Sequence, residues 1–208
     1  MTVRTRRPSR VSTLRRRLQL ATSEAILAAA EETLVERGFE ATGISEISAR
    51  AGVAVGTVYN HFQDREALLA ALVDARGEEL MQGIESALER SASAPVDAQI
   101  TALATALLEH RKAHFRLAEI VFDDRTCPGA ANRKRSASVL SRIHARVTQV
   151  MRRGISEGQL RREDPGLYAS LFLGMIKGLF LLREAPAPGL PAGLARKLTR
   201  LFMEGASS

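Results

Sequence analysis

The sequence predicts an all-α protein, and two patterns in it support this fold class. Apolar residues recur three and four positions apart in successive segments, which is the spacing of helices that bury one face. No window alternates apolar and polar residues as a half-buried strand would, and β-branched residues are sparse. Breaks containing glycine or proline separate the segments. We therefore expect an N-terminal three-helix domain at residues 20–67, joined to a larger helical domain at residues 68–208.

The stretch ISEISARAGVAVGTVYNHF, residues 44–62, predicts two short helices joined by a tight turn. Ile44 and Ile47 lie on the inward face of the first helix. Gly52 stands where a helix end needs a left-handed residue. A second helix that starts at Val55 would turn Val58 and Phe62 inward. Its outward residues are then Val55, Gly56, Thr57, Tyr59, Asn60 and His61.

This outward set has the chemistry of a surface that contacts DNA. Hydroxyl and imidazole groups donate to phosphate oxygens, an asparagine can pair with an adenine edge, and a valine can contact a thymine methyl. We interpret the pair of helices as a DNA-binding helix-turn-helix. The alternative is that Tyr59 and His61 pack against a neighbouring helix, which is the more common fate of either residue taken alone.

The spacing resembles the N-terminal domain of the TetR family of bacterial transcriptional regulators. The resemblance implies that Thr57, Tyr59 and His61 hold phosphates, that the start of the second helix reads bases, and that Arg65 adds a contact from the next helix. With Thr42, the predicted DNA-binding residues are Thr42, Val55, Gly56, Thr57, Tyr59, Asn60, His61 and Arg65. The matching positions are Gly38, Phe39, Thr42, Ile44, Ile47, Ala51, Gly52, Val53, Gly56, Thr57, Tyr59, His61, Phe62, Arg65, Glu66, Leu68 and Leu69.

Two positions depart from the family pattern. Ala54 stands where the family usually has a capping serine, and Gly43 stands where it usually has serine or threonine. Losing a cap oxygen costs about 1 kcal/mol for alanine and less for glycine. We expect the fold to survive, with Thr42 as the alternative cap and with no phosphate contact carried over to these two positions.

The formal charge of +7 is concentrated at the N-terminus. Residues 1–19 contain seven arginines and no acidic residue, which leaves 23 basic and 23 acidic residues in the rest of the chain. We predict a basic arm, residues 1–19, that follows the DNA backbone or enters a minor groove. A transit peptide is the alternative, although a bacterial family argues against it. Leu14 and Leu18 follow helical spacing, so both an extended and a partly helical arm remain open.

The single cysteine, Cys127, cannot form a disulfide within the chain, and a thiolate zinc site needs more than one cysteine. A reducing cytoplasm fits this composition best. Nothing in the sequence supports a redox role for Cys127.

Six further helical segments follow from apolar spacing and breaks. The first predicted helix runs from Ala21 to Arg37 and stops at Gly38. Asp64 is a suitable cap for a long helix that ends at the break of residues 91–97. A shift of this long helix could couple a distant ligand to DNA affinity. The later segments are 98–108, continuing or kinking to Phe122, then 131–157, 165–184 and 192–203.

Small residues four positions apart mark one face of the segment 165–184. They would let two helices approach closely, as in a membrane span or a dimer interface. A span needs about 20 apolar residues, whereas residues 167–182 are fewer and include Lys177. We predict a dimer interface, with core within one subunit as the alternative; the resemblance implies a four-helix bundle between subunits. The predicted interface residues are Ser170, Gly174, Gly178, Leu182, Leu194, Leu198 and Leu201.

The resemblance also implies a ligand cavity among the helices between residues 98 and 157. No residue of this region can be carried over from the family, and apolar residues at helical spacing are equally typical of core. The candidate wall residues are Leu107, His110, Arg111, His114, Phe115, Phe122, Met151, Phe172 and Met175.

Two motifs that often carry chemistry are interpreted as incidental. His110 and His114 could bind a metal from one helix face, but no third ligand has recognisable spacing and Arg111 would repel a cation. Residues 154–158 match the hydrolase pattern G-x-S-x-G, which needs a strand before it and a helix after it. A helical pattern precedes it here. We therefore predict neither metal site, cofactor nor enzyme.

The sequence as a whole predicts a homodimeric transcriptional regulator whose C-terminal domain binds a ligand and dimerises. The expected activity is repression at a palindromic DNA operator, with release by a small apolar or amphipathic effector and no membrane association. Transcriptional activation is an alternative. A TetR-like adaptor that binds a protein partner through its C-terminal helices is another.

Overall fold

The computed structural model describes residues 10–39, 41–114, 117–118, 129–181 and 191–206. These residues form helices and connecting turns, without a strand among them, and the predicted all-α fold is confirmed. No helix in these ranges is both long enough and apolar enough to span a bilayer. The helices are α1 (Arg10–Arg37), α2 (Ile44–Ala51), α3 (Val55–His61), α4 (Arg65–Arg90), α5 (Val96–Ala113), α6 (Ala130–Ser156), α7 (Pro165–Leu181) and α8 (Leu194–Ala206).

The first helix begins earlier than its apolar stripe predicts. α1 starts at Arg10 instead of Ala21, so residues 10–19 of the predicted basic arm are helical. Leu14 and Leu18 in this part are 59% and 60% exposed, which means that they do not contribute to a core. Residues 1–9 lie outside the described residues.

The chain divides into two compact units, Met1–Leu72 and Val73–Ser208. The core of the first unit takes side chains from each of its helices. Among them, Ile26, Leu34, Ile47, Val58 and Leu68 are each at most 3% exposed. Burying one such side chain stabilises a fold by about 1.5–3 kcal/mol. The core therefore outweighs the missing side-chain caps, since neither Gly43 nor Ala54 makes a cap hydrogen bond.

In the second unit, α6 packs mainly on α7, and α5 packs mainly on α8. Three aromatic rings join α7 to α8 at the centre. Tyr168 and Phe172 contact Phe202 edge to face, with centroid separations of 5.9 and 5.5 Å. Such pairs add about 0.5–1.5 kcal/mol to the effect of burial.

Ion pairs between α4 and α6 reinforce the second unit. Arg146 Nη2 lies 2.8 Å from Glu85 Oε2, and Arg142 pairs with Glu78. The hydrogen bond from Arg142 lowers the pKa of the Glu78 carboxyl. Because these groups are exposed to solvent, they orient the two helices more than they stabilise the fold.

Candidate functional site

The turn between α2 and α3 is fixed by backbone hydrogen bonds. Gly52 adopts φ 67° and ψ 30°, the left-handed conformation that its position predicts. Its N–H donates to the Ala49 carbonyl at 3.3 Å, and the Val53 N–H donates to the Ser48 carbonyl at 3.0 Å. These two bonds close the end of α2 and turn the chain sharply into α3.

The second helix of the motif presents most of its residues to solvent. Val58 and Phe62 point inward, with 0% and 9% of their surfaces exposed. Val55 and Tyr59 are 41% and 53% exposed. Gly56 and Asn60 are also exposed, whereas Thr57 and His61 are half-buried. The structure thus brings six of the eight predicted DNA-binding residues onto one short helix: Val55, Gly56, Thr57, Tyr59, Asn60 and His61.

Thr42 does not share this surface. It is only 5% exposed, and its hydroxyl donates to the Gly38 carbonyl at 2.7 Å. Its expected role as a cap for α2 is wrong, because α2 begins after Gly43 without a side-chain cap. Thr42 instead ties the loop before α2 to the end of α1, and burial removes it from the candidate DNA contacts.

Arg65 connects the start of α4 to the same loop. Its Nη1 donates to the Phe39 carbonyl at 3.0 Å, and its guanidinium carbon lies 4.2 Å from the centre of the Phe39 ring. Asp64 Oδ1 accepts a bond of 2.7 Å from the Ala67 N–H, which confirms Asp64 as the cap of α4. Arg65 therefore positions the loop before α2.

Arg50 on α2 forms ion pairs with two carboxylates on α1, and the sequence did not indicate these contacts. Arg50 Nη2 and Nη1 donate to the two carboxylate oxygens of Glu36 at 2.6 and 2.8 Å. Glu32 lies 3.5 Å from Arg50 Nη1. The hydrogen bond from Arg50 lowers the pKa of the Glu36 carboxyl.

Acid should remove the contribution of this pair to stability. Because the pKa of Glu36 is lower in the folded protein, its stabilisation is present above the unfolded value of about 4.3 and is lost as pH falls through the folded value. We expect the melting temperature of the wild type to exceed that of Glu36→Gln at neutral pH. The difference between the two melting temperatures should shrink as the pH falls and Glu36 becomes protonated. Circular dichroism melts across this range test it; a difference that stays constant with pH would contradict the assigned role.

The second unit contains a cavity of about 240 Å³. Its wall is mostly apolar, but two cationic side chains, Arg111 and Lys177, lie on it. A cavity of this composition suits a molecule with an apolar body and a negatively charged end. The lining residues are Leu80, Leu107, His110, Arg111, Ala118, Leu140, Ile143, Leu173, Gly174, Ile176 and Lys177.

Three of the predicted wall residues line this cavity: Leu107, His110 and Arg111. Met151 and Phe172 are instead fully buried in the core, at 0% and 1% exposure. His114 and Met175 are not on the wall, and Phe115 and Phe122 lie outside the described residues. The wall residues from α4, α6 and α7 were not predicted, because periodicity shows which face of a helix is apolar but not which helices meet around a space.

The face of α7 that carries the predicted dimer contacts is open within the subunit. Leu167 and Leu171 are 49% and 54% exposed. A side chain built at Gly174 or Gly178 would meet no atom within 4 Å among the described residues. On α8, Leu201 is 59% exposed. We call these open positions the α7–α8 face; one of them, Gly174, also lines the cavity.

Other predicted interface residues make contacts within their own subunit. Leu198 is 6% exposed and belongs to the core, so it does not reach the α7–α8 face. Leu194 packs partly against that core. Ser170 is exposed but lies 3.0 Å from His144 Nε2 through its hydroxyl oxygen. Leu182 lies outside the described residues.

The G-x-S-x-G match has a structural explanation. Ser156 ends α6, and its hydroxyl donates to the Arg153 carbonyl at 2.8 Å. Gly154 is buried, and a side chain built there would come within 2.8 Å of Leu160. Gly158 takes φ 72° in the turn after the helix. The strand-to-helix turn that exposes a nucleophilic serine is not formed at these residues.

Comparison with known proteins places these features in a family. The model for bacterial regulatory proteins of the tetR family matches residues 26–72, and the model for the tetracyclin repressor-like C-terminal domain matches residues 93–181. The uncharacterized HTH-type transcriptional regulator YhgD of Bacillus subtilis is 27% identical, over 86% of this chain and 92% of its own.

Two solved structures share the fold at low sequence identity. The TetR family transcriptional regulator PfmR from Thermus thermophilus has 21% identity and a TM-score of 0.73, covering 86% of this chain and 97% of that chain. FadR from Bacillus subtilis in complex with stearoyl-CoA has 20% identity and a TM-score of 0.71, covering 88% of this chain and 98% of its own. At these identities the likeness establishes the fold alone.

A helix-turn-helix with an exposed second helix, followed by a unit whose described residues are helical, is typical of a DNA-binding transcriptional regulator. The two family models identify the family of regulators: the chain belongs to the TetR family.

Proposed function

We propose that the protein is a transcriptional repressor that binds a palindromic DNA operator as a homodimer in the cytoplasm and leaves it when a ligand binds. The observation that carries this proposal is the exposed surface of α3. A purely structural helix would bury its aromatic residues, whereas Tyr59 is 53% exposed. DNA is therefore the partner that this surface fits best.

The residues of α3 divide into two roles. Thr57, Tyr59 and His61 have the donors to hold phosphates, and so fix the helix in the major groove. Val55 and Asn60 are exposed and can reach base edges, where they distinguish sequences. Arg65 positions the loop before α2 through the Phe39 carbonyl. The arginines of the N-terminal arm add contacts that depend on charge but not on sequence.

Dimerisation through the α7–α8 face supports the palindromic operator. Exposed Leu167, Leu171 and Leu201 cost free energy in water unless a partner covers them. The open space at Gly178, which does not line the cavity, lets a second helix approach closely. Two identical helix-turn-helix domains related by a two-fold axis then bind two half-sites of opposite orientation.

The cavity of the second unit is the proposed ligand site. Its apolar wall with Arg111 and Lys177 favours an amphipathic anion, such as a long-chain carboxylate or an acyl-CoA with its phosphates. The FadR structure that shares this fold holds stearoyl-CoA, which is an amphipathic anion of this kind. α4 supplies residues to both units, so it is the element through which a ligand could change DNA affinity.

Selection of random duplex DNA on the purified protein tests the proposal. The duplexes bound at moderate salt are sequenced, and we expect an enriched palindrome whose half-sites lie about one helical turn apart. A bound pool without a motif would contradict specific recognition and favour the adaptor alternative. Placing the selected operator across a promoter in a reporter assay then separates repression from activation.

The ligand site is tested with the same operator. Long-chain acyl-CoA thioesters are added to the complex, and release is followed by fluorescence anisotropy. Leu173→Trp fills the cavity from α7, so it should keep DNA binding but lose release. Release that persists unchanged in this variant would exclude the cavity as the site.

A further inference from the structure

Three side chains that bind metals in many proteins meet between α4 and α5. Glu79 lies on α4, and His110 and His114 lie one turn apart, on α5 and at its C-terminal end. One carboxylate oxygen and one nitrogen of each imidazole all lie within 4.8 Å of one another. His114 Nε2 lies 3.5 Å from Glu79 Oε1. The imidazole ring centroids are 4.7 Å apart.

These distances are close to those of a metal site. Zinc bonds to histidine nitrogen and carboxylate oxygen are about 2.0–2.2 Å long. Two ligands of a tetrahedral ion are therefore about 3.3–3.5 Å apart. The three groups need side-chain shifts of about 1 Å to enclose an ion. Glu79 has the most freedom to move, because its side chain is 52% exposed whereas that of His114 is 13% exposed.

A backbone hydrogen bond places a hydrogen on one nitrogen of the His110 ring. Its Nε2 lies 3.0 Å from the Arg76 carbonyl oxygen. A carbonyl only accepts, so Nε2 carries the hydrogen and the lone pair of the neutral ring is on Nδ1. Histidine ligands commonly donate their other N–H to a backbone carbonyl in this way, which orients the ring toward the metal.

A neighbouring cation, Arg76, pairs with the other carboxylate oxygen of Glu79. Arg76 Nη1 lies 3.4 Å from Glu79 Oε2, whereas His114 faces Oε1. The alternative is that Glu79 only forms ion pairs with these two residues. Because its two oxygens have different partners, Arg76 can hold Oε2 while Oε1 binds an ion, as outer contacts to ligating carboxylates do.

We propose that Glu79, His110 and His114 bind one divalent transition-metal ion per subunit. Two imidazoles and one carboxylate select zinc, cobalt, nickel or copper over magnesium and calcium, which prefer oxygen ligands. Three protein ligands leave a coordination position open. His110 also lines the cavity, so the ion would lie beside the proposed ligand site and join α4 to α5.

Cobalt titration of the full-length, untagged, metal-free protein tests this site without reference to DNA. We expect visible absorption bands of low-symmetry Co²⁺ that saturate at one ion per subunit, and their loss on addition of Zn²⁺. Zinc affinity should fall at least about tenfold in His114→Gln and in Glu79→Gln, as loss of a ligand or its support does. His144→Gln, which changes a histidine on α6, should bind like the wild type.

The variants must keep the helical circular dichroism of the wild type for the comparison to hold, and either one suffices if the other misfolds. Absence of saturable Co²⁺ or Zn²⁺ binding to the wild type would overturn the proposal. Binding that His114→Gln and Glu79→Gln both leave unchanged would also overturn it, because the ion would then lie elsewhere. Failure of operator selection would leave the metal result intact, since the two experiments share no readout.

Discussion

Replacing Tyr59 by Phe is expected to weaken operator binding about 100-fold without changing the fold. The hydroxyl is the only group removed, and the side chain is 53% exposed, so no core contact is lost. A hydrogen bond to a charged group contributes about 1.5–3 kcal/mol. A dimer loses two such bonds, which at the lower end of this range contribute about 3 kcal/mol, a factor of about 100 in affinity. Anisotropy titration of the selected operator at fixed salt measures it.

The chain provides a matched control for this substitution in its other tyrosine. Tyr168→Phe removes the same oxygen from α7, where it lies 3.4 Å from the Arg161 carbonyl, and should leave operator affinity unchanged. Adding His61→Ala to Tyr59→Phe should weaken binding further, because the imidazole is a second phosphate donor on the same helix. Equal affinity of Tyr59→Phe and wild type would contradict the phosphate role.

The helix-turn-helix could be predicted from sequence because its determinants are local. Gly52 needs a left-handed conformation whatever surrounds it, and the structure gives φ 67° there. Val58 and Phe62 are four positions apart, so helical geometry alone turns both to the same face. The capping carboxylate of Asp64 acts within three residues along the chain. Each of these features follows from a few neighbouring residues.

Features that depend on which helices meet could not be predicted. Glu79 joins His110 and His114 only because α4 packs beside α5, and its distance in sequence from them gives no sign of this. Lys177 reaches the cavity wall for a similar reason. Leu198 has the same apolar spacing as Leu201, yet one is 6% exposed and the other 59%. Apolar spacing marks a face as buried without showing whether its own subunit or another covers it.

Gly178→Leu is expected to convert the dimer to monomers. Within the subunit, a side chain at this position meets no atom within 4 Å among the described residues, so leucine causes no clash there. Glycine is less favourable than alanine in a helix by about 1 kcal/mol, so the variant subunit should be at least as stable as the wild type. Between two closely packed helices, however, the added side chain must push the backbones apart. Sedimentation velocity measures the change in mass.

Gly83→Leu on α4 separates the interface effect from the change of residue. Gly83 is also helical, and a side chain built there likewise meets nothing within 4 Å, so both variants gain the same helix propensity. If the α7–α8 face joins the subunits, Gly83→Leu remains dimeric, whereas Gly178→Leu becomes monomeric. The monomer should also lose tight operator binding, because a single helix-turn-helix domain binds only one half-site. If Gly178→Leu stays dimeric, the subunits associate through another surface. Exposed Leu167 and Leu171 would then need a different partner to cover them.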